Sequence, residues 1–160
     1  MKQTKLKTIA VVSACMMGLL SSSAQGMMQR TANYHPDGRG FSCVNGNNRY
    51  TRALYGSVDE WRLETSDRPI FAIFKKNNHR NIRFVIKCNG QAFQLDSVEY
   101  CKARYEAGKR EYLMKDKRWG SGVLKLSVLA YPQTEGAVWK FAAENFGKAK
   151  IEIVGMICET

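Results

Sequence analysis

Short segments in which apolar and polar residues alternate constrain the fold of this chain more than any other feature of its sequence. Apolar or β-branched side chains recur at every second position in residues 61–65, 82–86 and 124–128. Side chains with this period of two lie on one face of a β-strand. Residues 70–74 are apolar throughout and follow Pro69, which is typical of a buried strand that begins at a proline. The pattern therefore predicts a protein built mainly of short strands.

Turn signals separate these strands and set the expected fold class. Asn89-Gly90 is the strongest hairpin signal in the chain, and Asn45-Gly46 follows a strand predicted over residues 41–44. Residues 75–80 are predicted to be a polar connection. Only residues 98–109 compete as a helix, and their β-branched and aromatic content argues against one. Roughly eight strands at this spacing are typical of an antiparallel sandwich or barrel and not of βαβ units. We expect an all-β protein, an antiparallel β-sandwich or an incomplete super-sandwich.

Residues 1–24 are predicted to be a signal peptide. Lysines make the start basic, residues 8–20 are mostly apolar, and Ser22-Ser23-Ala24 supplies the small residues of a cleavage site. The apolar stretch is shorter than the roughly 20 residues of a membrane span, so no span is expected. The alternative is a lipoprotein anchored at Cys15, but residues 16–20 are apolar where a polar tether would be expected. Either route predicts a periplasmic or extracellular protein.

After the signal peptide we expect a lead-in over residues 25–33 and one β-sandwich domain over residues 34–160. Cleavage would leave 136 of the 160 residues, which is enough for one domain with a core and too few for two. The chain stops directly after an apolar strand, so the domain is expected to be truncated at its C-terminus. Unpaired strand edges would then make the isolated chain poorly soluble.

The charge of the chain favours acidic partners without identifying one. The formal net charge is +11, or about +8 once the three lysines of the signal peptide are removed. Uronic-acid polysaccharides and other anionic partners suit such an excess, and solubility alone would also explain it. No run of basic residues is longer than two, and no nucleic-acid-binding motif is present. We therefore expect no nucleic-acid partner.

Four cysteines follow the signal peptide: Cys43, Cys88, Cys101 and Cys158. An exported protein can keep disulfides, and four cysteines allow three pairings, but buried free thiols are an equal alternative. The sequence has no Cys-x-x-Cys motif and no cluster of cysteine and histidine. We expect no metal site and no cofactor, and we expect His35 and His79 to be solvated loop residues.

The best candidate for a ligand site is a group of two arginines and two tyrosines between turn-forming residues: Arg49, Tyr50, Arg52 and Tyr55. A tyrosine ring can stack on the apolar face of a sugar, and an arginine can bind its hydroxyls or carboxylates. The alternative is an internal polar network that fixes loops. Trp119, in a glycine-rich loop, is the tryptophan expected to be exposed and to bind carbohydrate, whereas Trp61 and Trp139 are expected in the core.

No catalytic residue can be assigned from the sequence. Hydrolysis of a glycosidic bond uses two carboxyl groups held roughly 5–10 Å apart, and spacing along strands does not show which carboxyl groups meet. Glu64 is expected to form a cross-strand ion pair beside Arg62, and Asp67 to bond the backbone of a turn. Gly120-Ser121-Gly122 is expected to be a flexible connection and not a nucleophile motif.

Several stretches carry a resemblance to a known family: residues 45–56, 62–69, 102–108, 122–130 and 135–136. Together they resemble the bacterial family called domain of unknown function 4450, from about residue 33 to residue 154. Tyr50-Thr51 departs from the Phe-Asn expected there, which weakens any role for position 51. The resemblance implies an N-terminal β-sandwich that packs on an (α/α)6-toroid catalytic module in large secreted glycoside hydrolases. It also places the catalytic carboxyl groups in that toroid.

The leading functional hypothesis is a non-catalytic β-sandwich domain of an exported glycoside-hydrolase-like protein. Its expected partners are a polysaccharide or oligosaccharide, with acidic glycans included, and the catalytic helical module. The alternative is an autonomous secreted module that binds carbohydrate or a surface. A small secreted hydrolase is a third hypothesis, and a basic nucleic-acid binder ranks last.

Overall fold

The structure is a computed structural model that describes residues 33–47, 50–56, 61–76, 78–131 and 135–159. Within residues 50–56 it describes the side chains of Ala53 and Leu54. The predicted signal peptide and all but the last residue of the predicted lead-in lie outside these residues. The described strands, in chain order, are β1 (His35–Asp37), β2 (Gly40–Val44), β3 (Tyr50–Gly56), β4 (Trp61–Ser66), β5 (Ile70–Lys75), β6 (Asn78–Cys88), β7 (Gln91–Gln94), β8 (Tyr100–Glu106), β9 (Lys109–Lys115), β10 (Val123–Ala130), β11 (Ala137–Glu144) and β12 (Ile151–Glu159).

These strands form two antiparallel sheets. Sheet A has the order β1-β2-β8-β9-β10-β11, and sheet B has the order β12-β6-β5-β4-β3, with β7 paired to β6. Two short 3-10 turns, Leu95–Ser97 and Lys117–Trp119, are the helical elements of the described residues. The predicted all-β antiparallel sandwich is confirmed. The described strands number twelve, more than the roughly eight predicted, because several hairpins are tighter than their polar composition suggested.

Strand β6 organises sheet B. One of its edges pairs with β12 from Arg80 to Cys88, and its other edge is shared by β5 and β7. The Asn89-Gly90 turn joins β6 to β7 with Cys88 opposite Gln91, as predicted, and both turn residues have positive φ. Residues 75–80 were predicted to be a connection, and this prediction is wrong. Lys75 pairs with Asn78 in a tight hairpin, and β6 has begun at that residue.

The chain crosses from one sheet to the other after β2. Asn45-Gly46 was predicted to turn a hairpin there, and this is wrong, because β2 pairs with β1 and β8 whereas β3 pairs with β4. The backbone N–H of Asn45 donates to the carbonyl of Cys101, and its side-chain oxygen accepts from the backbone N–H of Cys101. These two hydrogen bonds anchor the crossing to sheet A. Asn45 makes them in a left-handed backbone conformation, which asparagine tolerates.

The core lies between the sheets and follows the predicted alternation. Leu63, Phe71 and Ile86 of sheet B face Tyr112, Leu124 and other side chains of sheet A, all fully buried. Phe71 makes edge-to-face contacts with Phe84, Tyr112 and Trp139, which locks the two layers together. Trp61 is buried and Trp139 packs partly buried against this core, as predicted. The stretch that competed as a helix forms β8, because Cys101 and Ala103 face the core at a period of two.

Candidate functional site

The most polar part of the interior surrounds Arg110, a fully buried arginine on the inward face of β9. Its Nη2 donates to the carbonyl of Ser66 at 2.8 Å and to the hydroxyl of Tyr34, and lies 3.6 Å from Asp67 Oδ1. The Tyr34 hydroxyl donates in turn to Asp67. The Tyr112 hydroxyl donates to the Ser66 carbonyl at 2.7 Å. The network therefore joins the end of β4 in sheet B to β9 in sheet A.

Arg68 extends this network to three backbone carbonyls in two segments of the chain. Its Nε donates to the carbonyl of Gly46 at 3.0 Å, and its Nη1 donates to those of Asp96 and Val98 at 2.9 and 2.7 Å. The backbone at Gly46 comes so close that a Cβ there would lie 2.3 Å from the Cβ of Asp67. Only glycine fits this approach, so the crossing between the sheets and the polar network depend on each other.

The charge of Arg110 is compensated within the protein. Burial acts to lower the pKa of Arg110, but the neighbouring Tyr112 and Tyr34 outweigh it and leave the pKa above its usual value. Burial raises the pKa of Tyr112, so its hydroxyl stays protonated and serves as a donor. Among the residues that the structure describes, the buried Nε and Nη1 atoms of Arg110 have no hydrogen-bond partner, and a buried donor without a partner is costly. The arrangement suits a structural pin more than an exposed ligand site.

Two cysteines lie beside this network without the chemistry of a nucleophile. Burial raises the pKa of Cys101 to about 12, and it also raises that of Cys43. Both groups therefore remain thiols at neutral pH, and it is the thiolate that reacts. All four cysteines of the described part are free, which matches the free-thiol alternative. The described part of the chain also has no group of three histidine, cysteine, aspartate or glutamate side chains that could bind a metal ion.

The predicted arginine and tyrosine site lies largely outside what the structure describes. Arg49 falls outside the described residues. Tyr50, Arg52 and Tyr55 belong to β3, whose backbone is described and whose side chains at these positions are not. Among the described strands, β3 pairs with β4 only and has two register shifts, so these residues follow an irregular edge of sheet B. Their assignment as a carbohydrate site stays a prediction.

Trp119 does not have the exposed position expected for it. The side chain is 4% exposed, and its ring contacts Phe93 at a centroid distance of 5.8 Å and Phe146 at 5.7 Å. Its indole N–H donates to the carbonyl of Gly122 at 3.0 Å. The glycine-rich loop folds Trp119 back into the core because the ring has apolar partners on both sides. Its ring is therefore not open to stack on a sugar.

The carboxyl groups of the strands are held by cations. Glu64 forms its ion pair with Arg62 at 2.8 Å, two residues away on the same strand and not across strands as predicted. Asp67 was predicted to be a turn residue and is a buried member of the Arg110 network. Asp116 binds Arg118 at 2.6 Å and caps the following 3-10 turn, and these bonds lower its pKa to about 2. In the described residues, each carboxyl group with a shifted pKa has it lowered.

An open groove of about 210 Å³ lies on the outer face of sheet A. It runs across β8, β9 and β10, and its outward-facing side chains are Lys102, Arg104, Glu111, Leu113, Lys125 and Ser127. Arg104 binds Glu106 at 2.7 Å and Glu111 at 3.1 Å, and Lys102 binds Asp37 at 2.9 Å. Lys125 binds Glu144 at 2.7 Å. Three cations, one carboxylate and one leucine make this groove suitable for a polar, anionic ligand.

Sequence reasoning missed the Arg110 network, although one signal was present. Arg110 occupies the same phase as Tyr112 and Met114, the inward side of β9, where a charged residue is rare. An arginine at an inward, otherwise apolar position of a strand predicts a buried anionic partner. Asp67, two residues before Pro69, was a candidate for that partner. Tyr34 lacked such a signal because it precedes the first strand.

Comparison with known families gives one match. Residues 78–156 match the protein-family model described as Domain of unknown function (DUF4450). This segment covers β6 to most of β12, and with them the groove of sheet A. No curated protein and no solved structure shows significant similarity to the chain. The described residues contain no helix long and apolar enough to cross a membrane.

Proposed function

Through residues 78–156 the chain carries a domain of the family called domain of unknown function 4450, and from this premise we propose that it is a non-catalytic β-sandwich domain. The whole protein would be an exported, glycoside-hydrolase-like protein of the periplasm or cell exterior that acts in polysaccharide degradation. The sandwich would bind part of the polysaccharide and pack on a catalytic helical module. The family resemblance of the sequence suggests the hydrolase, and the surfaces of the two sheets suggest how the sandwich contributes.

The state of the carboxyl groups carries the non-catalytic part of the proposal. A glycosidase needs a carboxyl group whose pKa is raised, so that it can act as an acid, close to a second one that is ionised. In the described residues, the carboxyl groups with shifted pKa values, Asp37, Glu111 and Asp116, are stabilised in the ionised form by neighbouring cations. This is the protonation behaviour of structural ion pairs. A panel of polysaccharides incubated with the purified chain should show no release of reducing sugar.

The groove on sheet A supports binding of an acidic polysaccharide. The pair of Lys125 with Glu144 is exposed, and exposed ion pairs contribute little, whereas Lys102 and Asp37 are half-buried. A uronate carboxylate could therefore replace Glu144 at Lys125 at modest cost, while the sugar ring covers Leu113. Binding should weaken as salt is added, because the contacts are electrostatic and solvent-accessible.

A matched pair of lysines tests the location. Lys125→Gln on sheet A should weaken binding of polygalacturonate by about fivefold, since it removes one charged contact of about 1 kcal/mol. Lys87→Gln on sheet B is the control. Lys87 pairs with Glu152 at 2.9 Å and is 50% exposed, close to the 46% of Lys125. Isothermal titration of both variants, with neutral glucan as a second control, separates the groove from general charge. Equal losses in both variants would contradict the groove.

The outer face of sheet B supports packing on another module. Ile70 and Ala72 point away from sheet A, since they alternate with Phe71, yet they are 5% and 1% exposed. Val85, Val154 and Met156 continue this apolar face and are half-buried. Ile70 and Ala72 are already covered within this chain, so a further module could contact only the half-buried row of Val85, Val154 and Met156. Reading the coding sequence beyond Thr160 should reveal a helix-rich region of several hundred residues in frame, and its absence would favour the second candidate.

The second candidate is an autonomous secreted module that binds carbohydrate. The groove of sheet A favours it equally, because binding there needs no second module. A glycan array probed with the chain alone distinguishes the two: micromolar binding without a helical module supports the autonomous form. Binding that appears only when the module is supplied supports the first candidate.

A further inference from the structure

A second cleft, unrelated to the groove of sheet A, opens at the end of sheet B. It has a volume of about 450 Å³ and lies between the β5–β6 hairpin and the C-terminal end of β12. Its floor consists of Ile73, Ile82 and Ile157, and its rim of Lys75, Lys76 and Arg80. A volume of this size is within the range of about 300–1,000 Å³ found for small-molecule sites.

The floor is apolar because these residues occupy inward positions of sheet B. Ile157 pairs across the strands with Ile82, and Ile73 pairs with Arg80. Ile73 and Ile82 pack half-buried against the core, whereas Ile157 is 68% exposed, the largest exposure among the large apolar side chains described. The inward face of sheet B therefore extends beyond the core residues that cover it. Covering Ile157 would gain free energy, since apolar area removed from water stabilises by roughly 25 cal/mol per Å².

The rim makes the cleft electropositive. Lys75 is bound to Glu135, and within the described residues no ion pair is formed by Lys76. Lys76 lies in the hairpin turn at φ 53°, so the turn fixes its backbone at the mouth of the cleft. Arg80 lies on β6, after the hairpin turn that contains Lys76. Three cations and one carboxylate above an isoleucine floor complement a ligand with an apolar body and an anionic end.

We propose that this cleft binds an amphiphilic monocarboxylate, of the class of medium-chain fatty acids. The alkyl chain covers Ile73, Ile82 and Ile157, and the carboxylate lies among Lys75, Lys76 and Arg80. The inference goes beyond the proposed binding of polysaccharide, because it concerns another sheet, another surface and another ligand chemistry. The result at one site therefore does not decide the result at the other.

Titration of the full 160-residue chain with decanoate tests the proposal. Trp61 is the cross-strand partner of Lys75, so its fluorescence should report occupancy. We expect saturable binding with a dissociation constant of about 10–500 µM, the range that suits a ligand of this size. The neutral 1-decanol should bind at least about tenfold more weakly, because it lacks the charge that the rim complements. Amide chemical shifts should move in residues 73–82 and 155–158.

Paired variants locate the site. Ile157→Asp should weaken decanoate binding at least about tenfold, while Val138→Asp, which changes an equally apolar residue 49% exposed on β11, should leave it unchanged. Lys76→Asn removes one rim charge and suits the left-handed backbone, so folding is preserved. It should weaken binding about threefold to tenfold. Lys148→Asn, at an exposed lysine outside the cleft, is its control.

Three results would overturn the proposal. The first is an absence of saturable binding below about 1 mM, the affinity of a weak nonspecific contact. The second is equal affinity for decanoate and 1-decanol, which would remove the role of the rim. The third is a dimer in sedimentation velocity that Ile157→Asp dissociates, because a second copy of the chain would then be the occupant of the cleft.

Discussion

The outer faces of the two sheets differ in chemistry although both point away from the core. On sheet A the face is a lattice of ion pairs around Arg104, which contacts Glu106 and Glu111. On sheet B the outward residues of β5 are apolar, and ion pairs flank them: Arg62 with Glu64 on the neighbouring β4, and Lys87 with Glu152 on β6 and β12. Arg62 stacks over the ring of Phe74 at 4.3 Å, which covers part of the apolar row with a polar group.

This difference teaches which face is adapted to water and which to a covering layer. A solvated sheet alternates apolar and polar residues, whereas a strand covered on both faces is apolar at every position. Strand β10 has the first pattern, with Lys125 and Ser127 outward, and β5 has the second from Ile70 to Phe74. The outer face of sheet A is therefore adapted to water, whereas β5 of sheet B is buried on both of its faces from Ile70 to Ala72.

The largest expected effect comes from placing a carboxylate on each face. Ala72→Asp should lower the free energy of unfolding by about 3 kcal/mol, because the site is 1% exposed and Glu64 is the cross-strand neighbour. The same change at Ala142, exposed and opposite Lys125 on sheet A, should cost less than about 0.5 kcal/mol. Urea denaturation followed by circular dichroism measures both. Equal losses would break the distinction between the faces.

Truncation of apolar side chains should show the same contrast between the two faces, with smaller losses in the free energy of unfolding. Ile70→Ala should cost about 2 kcal/mol, since the residue is 5% exposed and its loss leaves a cavity. Leu129→Ala on the outer face of sheet A should cost less than about 0.5 kcal/mol, because Leu129 is 46% exposed. If Leu129 proved as costly as Ile70, sheet A would also have a covered face. Thermal melts of the two variants at one protein concentration give the comparison.

The acid limb of unfolding tests the ion pairs at the end of β9 in sheet A. The folded pKa of Asp116 is about 2, below the ordinary value of 3.8, because Arg118 donates hydrogen bonds to its carboxylate. The group therefore adds stability above about pH 4 that is lost as pH falls from 4 to 2. Asp116→Asn should lower stability at pH 7 by about 1–2 kcal/mol and flatten the pH dependence in that window. An unchanged slope between pH 4 and 2 would contradict this role.

The smallest effects belong to exposed ion pairs. Lys125→Gln and Lys87→Gln should each change the free energy of unfolding by less than about 0.5 kcal/mol, because both lysines are about half exposed and their pairs are screened by solvent. Equal stability of these two variants is the condition under which their polysaccharide affinities can be compared. A loss above about 1 kcal/mol in either variant would mean that its pair is structural.

Strands were predictable from the sequence wherever one face is buried. Leu124, Leu126 and Val128 are fully buried while Lys125 between them is exposed, so burial follows the alternation in the sequence. The Asn89-Gly90 hairpin was predictable because its turn needs two residues with positive φ, and these two residues adopt it readily. Asn45-Gly46 has the same letters and a different structure, because Gly46 is required for a close approach to Asp67.

The candidate site was less predictable, because its residues are distant in the sequence. Arg110 contacts the Ser66 carbonyl across 44 positions, and Arg68 contacts Gly46 across 22. The sequence around Trp119 is typical of an exposed loop, but contacts with the distant Phe93 and Phe146 bury its ring. Local composition describes none of these contacts.

By itself the sequence determined the fold class and most strand phases, because side-chain alternation and turn residues act within a few positions of the chain. Only the tertiary structure decided that the charged Arg110 is paired with Asp67 inside the core, that Trp119 is covered, and that the two outer faces differ. It also decided that three isoleucines from β5, β6 and β12 share one cleft. These outcomes depend on which strands become neighbours, and that choice minimises the free energy of the whole sandwich.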